Sequence, residues 1–227
     1  MSGDPAAHET GAGRPISLSE AYAVQSPDDN RALYAKWADT YESDFAVPRR
    51  YIYPRAAAEL LCERFSGSGP VLDAGCGTGL VGEYLRDLGV AVVDGIDISV
   101  EMLAKARAKT AADGSPVYHK TFEVDLTGPV DIVGDTYSGI ISTGTFTHGH
   151  VGPDGIAELL RIARPGACCV IGVNASIFEP DGFKDRFERH ATEGAINGLE
   201  VHFRQVYEGA DSSDPDQMAQ IAVFAVG

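Results

Sequence analysis

The stretch Val71-Leu72-Asp73-Ala74-Gly75-Cys76-Gly77-Thr78-Gly79 leaves this chain few folds to choose from. A short apolar run ends on an acid and three alternate glycines follow; Leu80, Val81, Tyr84, Leu85 and Leu88 then fall on one side of a helical pattern. The spacing predicts strand, tight turn and helix. Glycine tolerates positive φ and lets a ligand approach the backbone, and the start of the next helix presents N–H groups without internal partners. Such a turn suits a nucleotide-like ligand.

With 227 residues the chain can bury the core of one α/β domain, expected over residues 17–227. Residues 1–16 are polar and Gly/Ala-rich and are expected to be disordered. They lack the basic start and apolar middle of a signal peptide, and no run of about 18 apolar residues is present to span a membrane, so a cytoplasmic address is expected. A formal net charge of -15 repels a phosphate backbone, and the basic residues are scattered apart from Arg49-Arg50. A small-molecule partner fits better than nucleic acid or a membrane, and the charge says nothing of oligomeric state. Cys62, Cys76, Cys168 and Cys169 show no Cys-x-x-Cys spacing and read as reduced thiols, forming neither a zinc site nor a disulfide frame.

Between Ser17 and Phe65, Leu33, Tyr34, Trp37, Ala38 and Tyr41 form one helical stripe and Ala56, Leu60, Leu61 and Phe65 another, joined by an extended segment around Pro48–Pro54. Beyond the glycine turn, strands are predicted at 90–97, 117–124, 139–143, 168–173, 199–207 and 220–226, with helices at 99–109, 154–163 and 182–193. Asp97 ends the second strand about 20 residues past the glycines. In dinucleotide-binding folds an acid at that spacing accepts both ribose hydroxyls.

Asp73-x-Gly75-x-Gly77-x-Gly79 resembles motif I of the class I S-adenosylmethionine-dependent methyltransferases. Tyr34-x-x-Trp37-Ala38-x-x-Tyr41-Glu42-x-Asp44 resembles the family's segment ahead of motif I, and Leu159-Leu160-Arg161-Ile162-Ala163-Arg164-Pro165-Gly166 its Leu-x-Arg-x-Leu-(Lys/Arg)-Pro-Gly-Gly. The resemblance spans residues 31–227, and its Tyr-x-x-Trp-Ala, motif I and Gly-His-Val stretches are similar to those of the Williams–Beuren syndrome region methyltransferase-like proteins. It implies a doubly wound, seven-stranded, mostly parallel sheet with an antiparallel last strand, under an N-terminal helical lid at 17–66. It also implies S-adenosylmethionine as cofactor and methyl transfer to a small acceptor.

On that resemblance Gly75, Gly77 and Gly79 form the methionine-side turn and Asp73 reaches toward the amino-acid end of the cofactor. Asp97 holds the ribose, Ile98 and Met102 are apolar contacts near the adenine, and Asp125-Leu126 border it. Met102 also reads as ordinary core, and Asp125 as a turn residue before Gly128-Pro129. Ser99 can cap the helix that follows, which leaves Asp97 free for the ligand. Thr143 opens the loop to His150, where acceptor and methyl group would meet, with Tyr34 and Tyr41 facing the ligands from the lid while Trp37 packs.

His148-Gly149-His150 in an extended chain would turn both rings to one side, a pair that could hold a metal, but no third ligand is spaced nearby and none is expected. Either histidine could instead be a general base, with His148 also a candidate acceptor contact, or simply a loop residue bonded to backbone. Gly77-x-Gly79-x-x-Gly82 formally matches the dinucleotide fingerprint of an NAD-dependent oxidoreductase. That register buries two turn glycines in the strand and puts Gly82 in a helix with no need for glycine, so methyl transfer is the better reading. A sensor that binds the cofactor without turnover is the other alternative.

Overall fold

The computed structural model describes residues 16–66 and 68–227. The expected disorder of the N-terminal segment and the start of the Gly67–Gly69 turn therefore lie outside the described residues. Seven strands form one sheet: β1 Val71–Ala74, β2 Val93–Asp97, β3 Lys120–Glu123, β4 Tyr137–Phe146, β5 Ala163–Asn174, β6 Ile196–Gln205 and β7 Met218–Val226. Their order is β3-β2-β1-β4-β5-β7-β6, with only β7 running antiparallel to its neighbours. The chain winds outward from β1 to β3 and returns to β4 on the other side of β1. That reversal opens a crevice at the carboxyl ends of β1 and β4, where open α/β sheets bind ligands.

The helices are α1 Leu18–Tyr22, α2 Pro27–Trp37, α3 Tyr53–Arg64, α4 Leu80–Asp87, α5 Val100–Ala108, α6 Gly155–Ile162, α7 Ala175–Phe178 and α8 Phe183–Thr192. None of the described residues forms a helix long and apolar enough to cross a membrane. Side chains alternate across each strand, so the sheet buries two cores. Val71 and Ile141 face one, with Leu61 of α3, Leu85 of α4 and Leu103 of α5. Leu72, Ala74 and Ile140 face the other, with Leu159 of α6 and Phe187 of α8. Asp73 shares the parity of Val71 and therefore points under α4.

The N-terminal segment departs most from its expected form. The aromatic stripe continues past α2 into a π-helical turn, Tyr41–Ala46, closed by the Val47 N–H on the Glu42 carbonyl. The link to α3 is turned rather than extended: residues 47–50 form turns, Arg50 has φ 51°, and only Tyr51 makes an isolated bridge, to Tyr207. The widened turn lets Trp37 lie edge-on to both Tyr41 and Phe45, at 5.0 and 5.1 Å between ring centroids, and Trp37 is fully buried.

Gly82, expected to have no need of glycine, has one. A Cβ there would stand 2.4 Å from the Tyr118 ring and its hydroxyl. Gly82→Ala gains helix propensity of about 1 kcal/mol but must displace a buried ring, an overpacking cost of about 1–3 kcal/mol. We expect a net loss of stability in urea unfolding, and a variant as stable as the parent would show that displacing the Tyr118 ring costs no more than the helix propensity gained.

Candidate functional site

The crevice over β1 and β4 widens into a cleft of about 900 Å³, including its open mouth. Its floor is the glycine turn, where Gly75, Gly77 and Gly79 have φ of 76°, 52° and 97°. Gly75 is forced by its neighbour, since a Cβ would fall 1.8 Å from Thr145 Oγ1. Above Gly77, by contrast, a Cβ would meet nothing within 4 Å. That open backbone lies in the cleft lining, where a ligand can approach it.

Asp97, at the end of β2, holds the turn in place. One carboxylate oxygen accepts the Gly77 N–H at 2.8 Å and the other the Ser99 N–H at 2.9 Å. Ser99 caps α5 with its own hydroxyl, which accepts the Met102 N–H at 3.2 Å. Burial raises the Asp97 carboxyl above its usual range, against the lowering effect of these backbone bonds. At the far end of the cleft, Asp125 accepts from Thr127 through one oxygen and faces Arg31 of α2 at 3.4 Å with the other. Two further polar atoms of the lining residues, Thr78 Oγ1 and Asn30 Oδ1, are buried without a partner. Open backbone over Gly77, an acid at the strand end and two unpaired polar atoms suit a ligand with a polar, hydroxylated body. The residues present therefore fit S-adenosylmethionine.

Of the residues predicted from sequence, Tyr34, Tyr41, Gly75, Gly77, Asp97, Ile98, Asp125, Leu126, Thr143 and His150 line this cleft together. Asp73, Gly79, Met102 and His148 do not. Asp73 is fully buried and accepts the Tyr118 hydroxyl at 2.6 Å, which in turn accepts the Gly82 N–H at 3.2 Å, so it serves the start of α4 from beneath. The empty side of Gly79 faces the Tyr118 ring at 2.9 Å. Met102 is core. Tyr51, Asn30, Thr78 and Thr145 line the cleft without having been predicted. For Thr145 the signal was its place just past the predicted strand end at 143, in what proves to be the end of β4; for Asn30 and Tyr51 no local pattern marks them.

The His-x-His segment is a turn, not an extended chain, because Gly149 takes φ 69°. The rings consequently part. His148 turns Nε2 to Asp216 at 3.1 Å and Ser176 at 2.8 Å, and its ring lies 4.8 Å from that of Tyr22. His150 sets Nδ1 2.6 Å from the His148 carbonyl and Nε2 2.9 Å from the Tyr34 hydroxyl. A carbonyl only accepts, so Nδ1 carries the proton. Burial lowers the pKa of His150, so the ring is neutral and Nε2 accepts from Tyr34. Among the described residues no group of three or more His, Cys, Asp or Glu could hold a metal ion, and all four cysteines are free.

Beside the cleft lies an aromatic chamber of about 580 Å³ between α1, α2, the π-helical turn and the ends of β4 and β7. Tyr34, Tyr41, Tyr51, Gly144 and His150 belong to both linings. Burial raises the pKa of Tyr34, Tyr41, Tyr51, Tyr53 and Tyr207, which leaves uncharged phenols around the junction.

Residues 71–166 match the family model described as a methyltransferase domain. The chain is 30% identical over 175 residues to methyltransferase-like protein 27 of Homo sapiens, covering 74% of this chain and 68% of that protein. It is 28% identical over 184 residues to a malonyl-[acyl-carrier protein] O-methyltransferase of Enterobacter lignolyticus (strain SCF1), covering 76% and 68%. Among solved structures it is similar to a chain of the complex between the Trm112 methyltransferase activator of Haloferax volcanii and a methyltransferase. There the TM-score is 0.61 at 18% identity, over 86% of this chain and 98% of that one. An S-adenosylmethionine-dependent methyltransferase from Aquifex aeolicus gives 0.54 at 18% identity, over 89% and 99%.

The site also makes a statement about stability. Burial raises the Asp73 pKa to about 7, against the lowering effect of the Tyr118 hydroxyl. The unfolded carboxyl ionises near 4. Between those values the folded state holds a proton that the unfolded state has released, so this group's contribution is fully present below about pH 4 and lost as pH rises to about 7. Asp73→Asn keeps an acceptor for Tyr118 but cannot titrate. Urea unfolding at pH 5 and pH 8 should show the parent losing more stability than the variant over that interval, by up to roughly 3 kcal/mol; equal losses would place the Asp73 pKa in the ordinary range.

Proposed function

The chain belongs to the class I S-adenosylmethionine-dependent methyltransferases, and from that membership we propose that it transfers a methyl group from S-adenosylmethionine to a small molecule held in the aromatic chamber. The observation that carries this reading is the junction: a glycine-floored cleft and an uncharged aromatic chamber meet across Tyr34, Tyr41, Tyr51, Gly144 and His150. One space suits the donor and the other an acceptor.

In this reading Gly75 and Gly77 carry the amino-acid end, Asp97 accepts the ribose hydroxyls, and Ile98, Asp125 and Leu126 border the adenine. Asp73, Gly79 and Met102 act from behind, by fixing the turn and α5. The cofactor supplies an activated methyl on a sulfonium that is its own leaving group. The protein has to align the acceptor and exclude water, a matter of proximity and orientation. The segment 17–66 acts as the lid of a single domain spanning 17–227, with Trp37 as its buried anchor and Tyr34 and Tyr41 as its inner surface. An acceptor that must lose a proton delivers it to His150 Nε2, which the His148 carbonyl keeps in the accepting tautomer. The charge of -15 favours a small acceptor over nucleic acid.

Calorimetric titration with S-adenosylmethionine, its demethylated product and NAD tests the donor side. Micromolar binding of the first two is expected, with NAD silent and affinity for the first two reduced about tenfold or more by Asp97→Ala, which removes a charge-assisted pair of hydrogen bonds. Binding of NAD alone would overturn the reading. On the acceptor side, turnover of a protic acceptor should fall on acidification with a midpoint below the ordinary histidine value of about 6.5, since burial keeps His150 neutral to lower pH. His150→Gln should abolish that limb and lower kcat about 100-fold. An unchanged acid limb in the variant would remove His150 from the reaction.

A further inference from the structure

Among the described residues, the lining of the aromatic chamber contains no Lys or Arg, its tyrosines are held as neutral phenols and His150 as neutral imidazole. The remaining ionisable group is Asp216, on a short 3-10 turn, Pro215–Gln217, between β6 and β7. Its side chain is 50% exposed and does not reach the cofactor cleft, which puts it at the outer end of the chamber; the residues shared with the cleft mark the inner end.

Asp216 is held by elements distant in sequence. His148 donates to its carboxylate from the β4–α6 loop, and Asn174 Nδ2, at the end of β5, donates to its backbone carbonyl at 3.3 Å. The Ser176 hydroxyl lies on the same His148 nitrogen and donates to Asn174 Oδ1 at 2.6 Å, while Tyr22 of α1 packs on the His148 ring. Hydrogen bonding from Ser176 and His148 holds the carboxyl below its usual range. Arg49 lays its guanidinium over Phe45 and Tyr207, at 5.2 and 5.8 Å, and is not part of the lining. Deeper in, Trp37 Nε1 and Tyr53 Oη belong to lining side chains and are buried without a partner. They are uncharged donors, suited to an uncharged oxygen or ring.

Resting on the methyltransferase reading, we propose that the acceptor is an aromatic amine-bearing molecule: a flat apolar body with no anionic group, its nucleophilic atom toward His150 and a protonated amine at Asp216. An anion in this chamber would meet a like charge inside a wall of low polarity, the Arg49 guanidinium lying outside the lining on the Phe45 and Tyr207 rings. An ammonium would meet a carboxylate together with aromatic faces, which attract cations through the ring quadrupole. Asp216 is thereby a specificity residue, and His148 and Asn174 position it.

The test uses three probes with one body: 2-(4-hydroxyphenyl)ethylamine, 2-(4-hydroxyphenyl)ethanol and 3-(4-hydroxyphenyl)propanoate. Each is titrated into the full chain, alone and with the demethylated cofactor product. The amine should bind about tenfold tighter than the alcohol, as one partly screened charge pair with ring support allows, and the carboxylate weakest. Its advantage should vanish in Asp216→Asn and shrink in high salt, the second measure standing should the variant not fold. A carboxylate that binds as well as the amine, an amine preference that survives Asp216→Asn, or no binding of the amine at millimolar concentration would each overturn the proposal. Failure of the cofactor and its product to bind would instead sink the methyl-transfer reading, while the ranking on the unloaded chain would still decide the charge preference.

Discussion

A single buried phenol organises the ligand-facing end of the sheet. Tyr118 donates to Asp73 of β1 and accepts from the first turn of α4, so its hydroxyl ties together the strand and the helix that bracket the glycine turn. The ring fits because three glycines give way to it: a Cβ at Gly79, Gly82 or Gly95 would come within 2.9, 2.4 or 3.0 Å of it. Of the three motif glycines, Gly79 therefore makes room for Tyr118 and Gly75 for Thr145, and Gly77 leaves open backbone. An unpaired N–H at a buried helix start is costly, and so is a buried carboxyl without a partner. Tyr118 answers the N–H and one of the two carboxyl oxygens, Asp73 Oδ1 staying without a partner.

The glycine turn and the acid closing β2 were legible in the sequence because each depends on local spacing, positive φ after a strand and the distance from glycine to acid, whereas the mostly parallel sheet with its antiparallel last strand was implied by the resemblance. Asp73 was legible in principle, since it shares the face of Val71 and that face meets α4. Motif resemblance turned it toward the ligand instead. What no local pattern carries is the identity of the neighbour across the fold. Gly82 is dictated by a tyrosine 36 residues on, and Tyr51 lines both spaces because an isolated bridge to Tyr207 holds it there. The His-x-His pair failed as an extended motif for a local reason, the glycine between the two rings, whose positive φ was free to break the alternation.

The lid shows how polar and apolar contacts divide the work. Lys105 reaches Asp39 at 2.6 Å, Lys109 reaches Glu42 at 2.9 Å, and Arg31 reaches Asp125 at 3.4 Å, all between the N-terminal segment and the body. The Lys105–Asp39 pair is substantially exposed, Asp39 being 86% accessible, and such pairs contribute about 0–1 kcal/mol. Trp37, Phe45 and Ala38, buried against the same body, supply far more through apolar area alone. The ion pairs set the register of the lid while the aromatic cluster holds it down.

That division bears on the chemistry at the junction. Methyl transfer from a sulfonium develops no charge that a strong acid or base must meet, so the side chains around it are best when dry and neutral. Tyr34, Tyr41 and Tyr51 meet that requirement through burial, which holds their protons on, and His150 meets it through burial too, which keeps the ring neutral against the opposing effect of the His148 carbonyl. Charge is kept at the two ends: Asp97 beneath one ligand space and Asp216 at the mouth of the other. On the proposed reading, a neutral middle between two acidic ends would leave the reacting atoms in a medium of low polarity, where exclusion of water and alignment of the acceptor matter most.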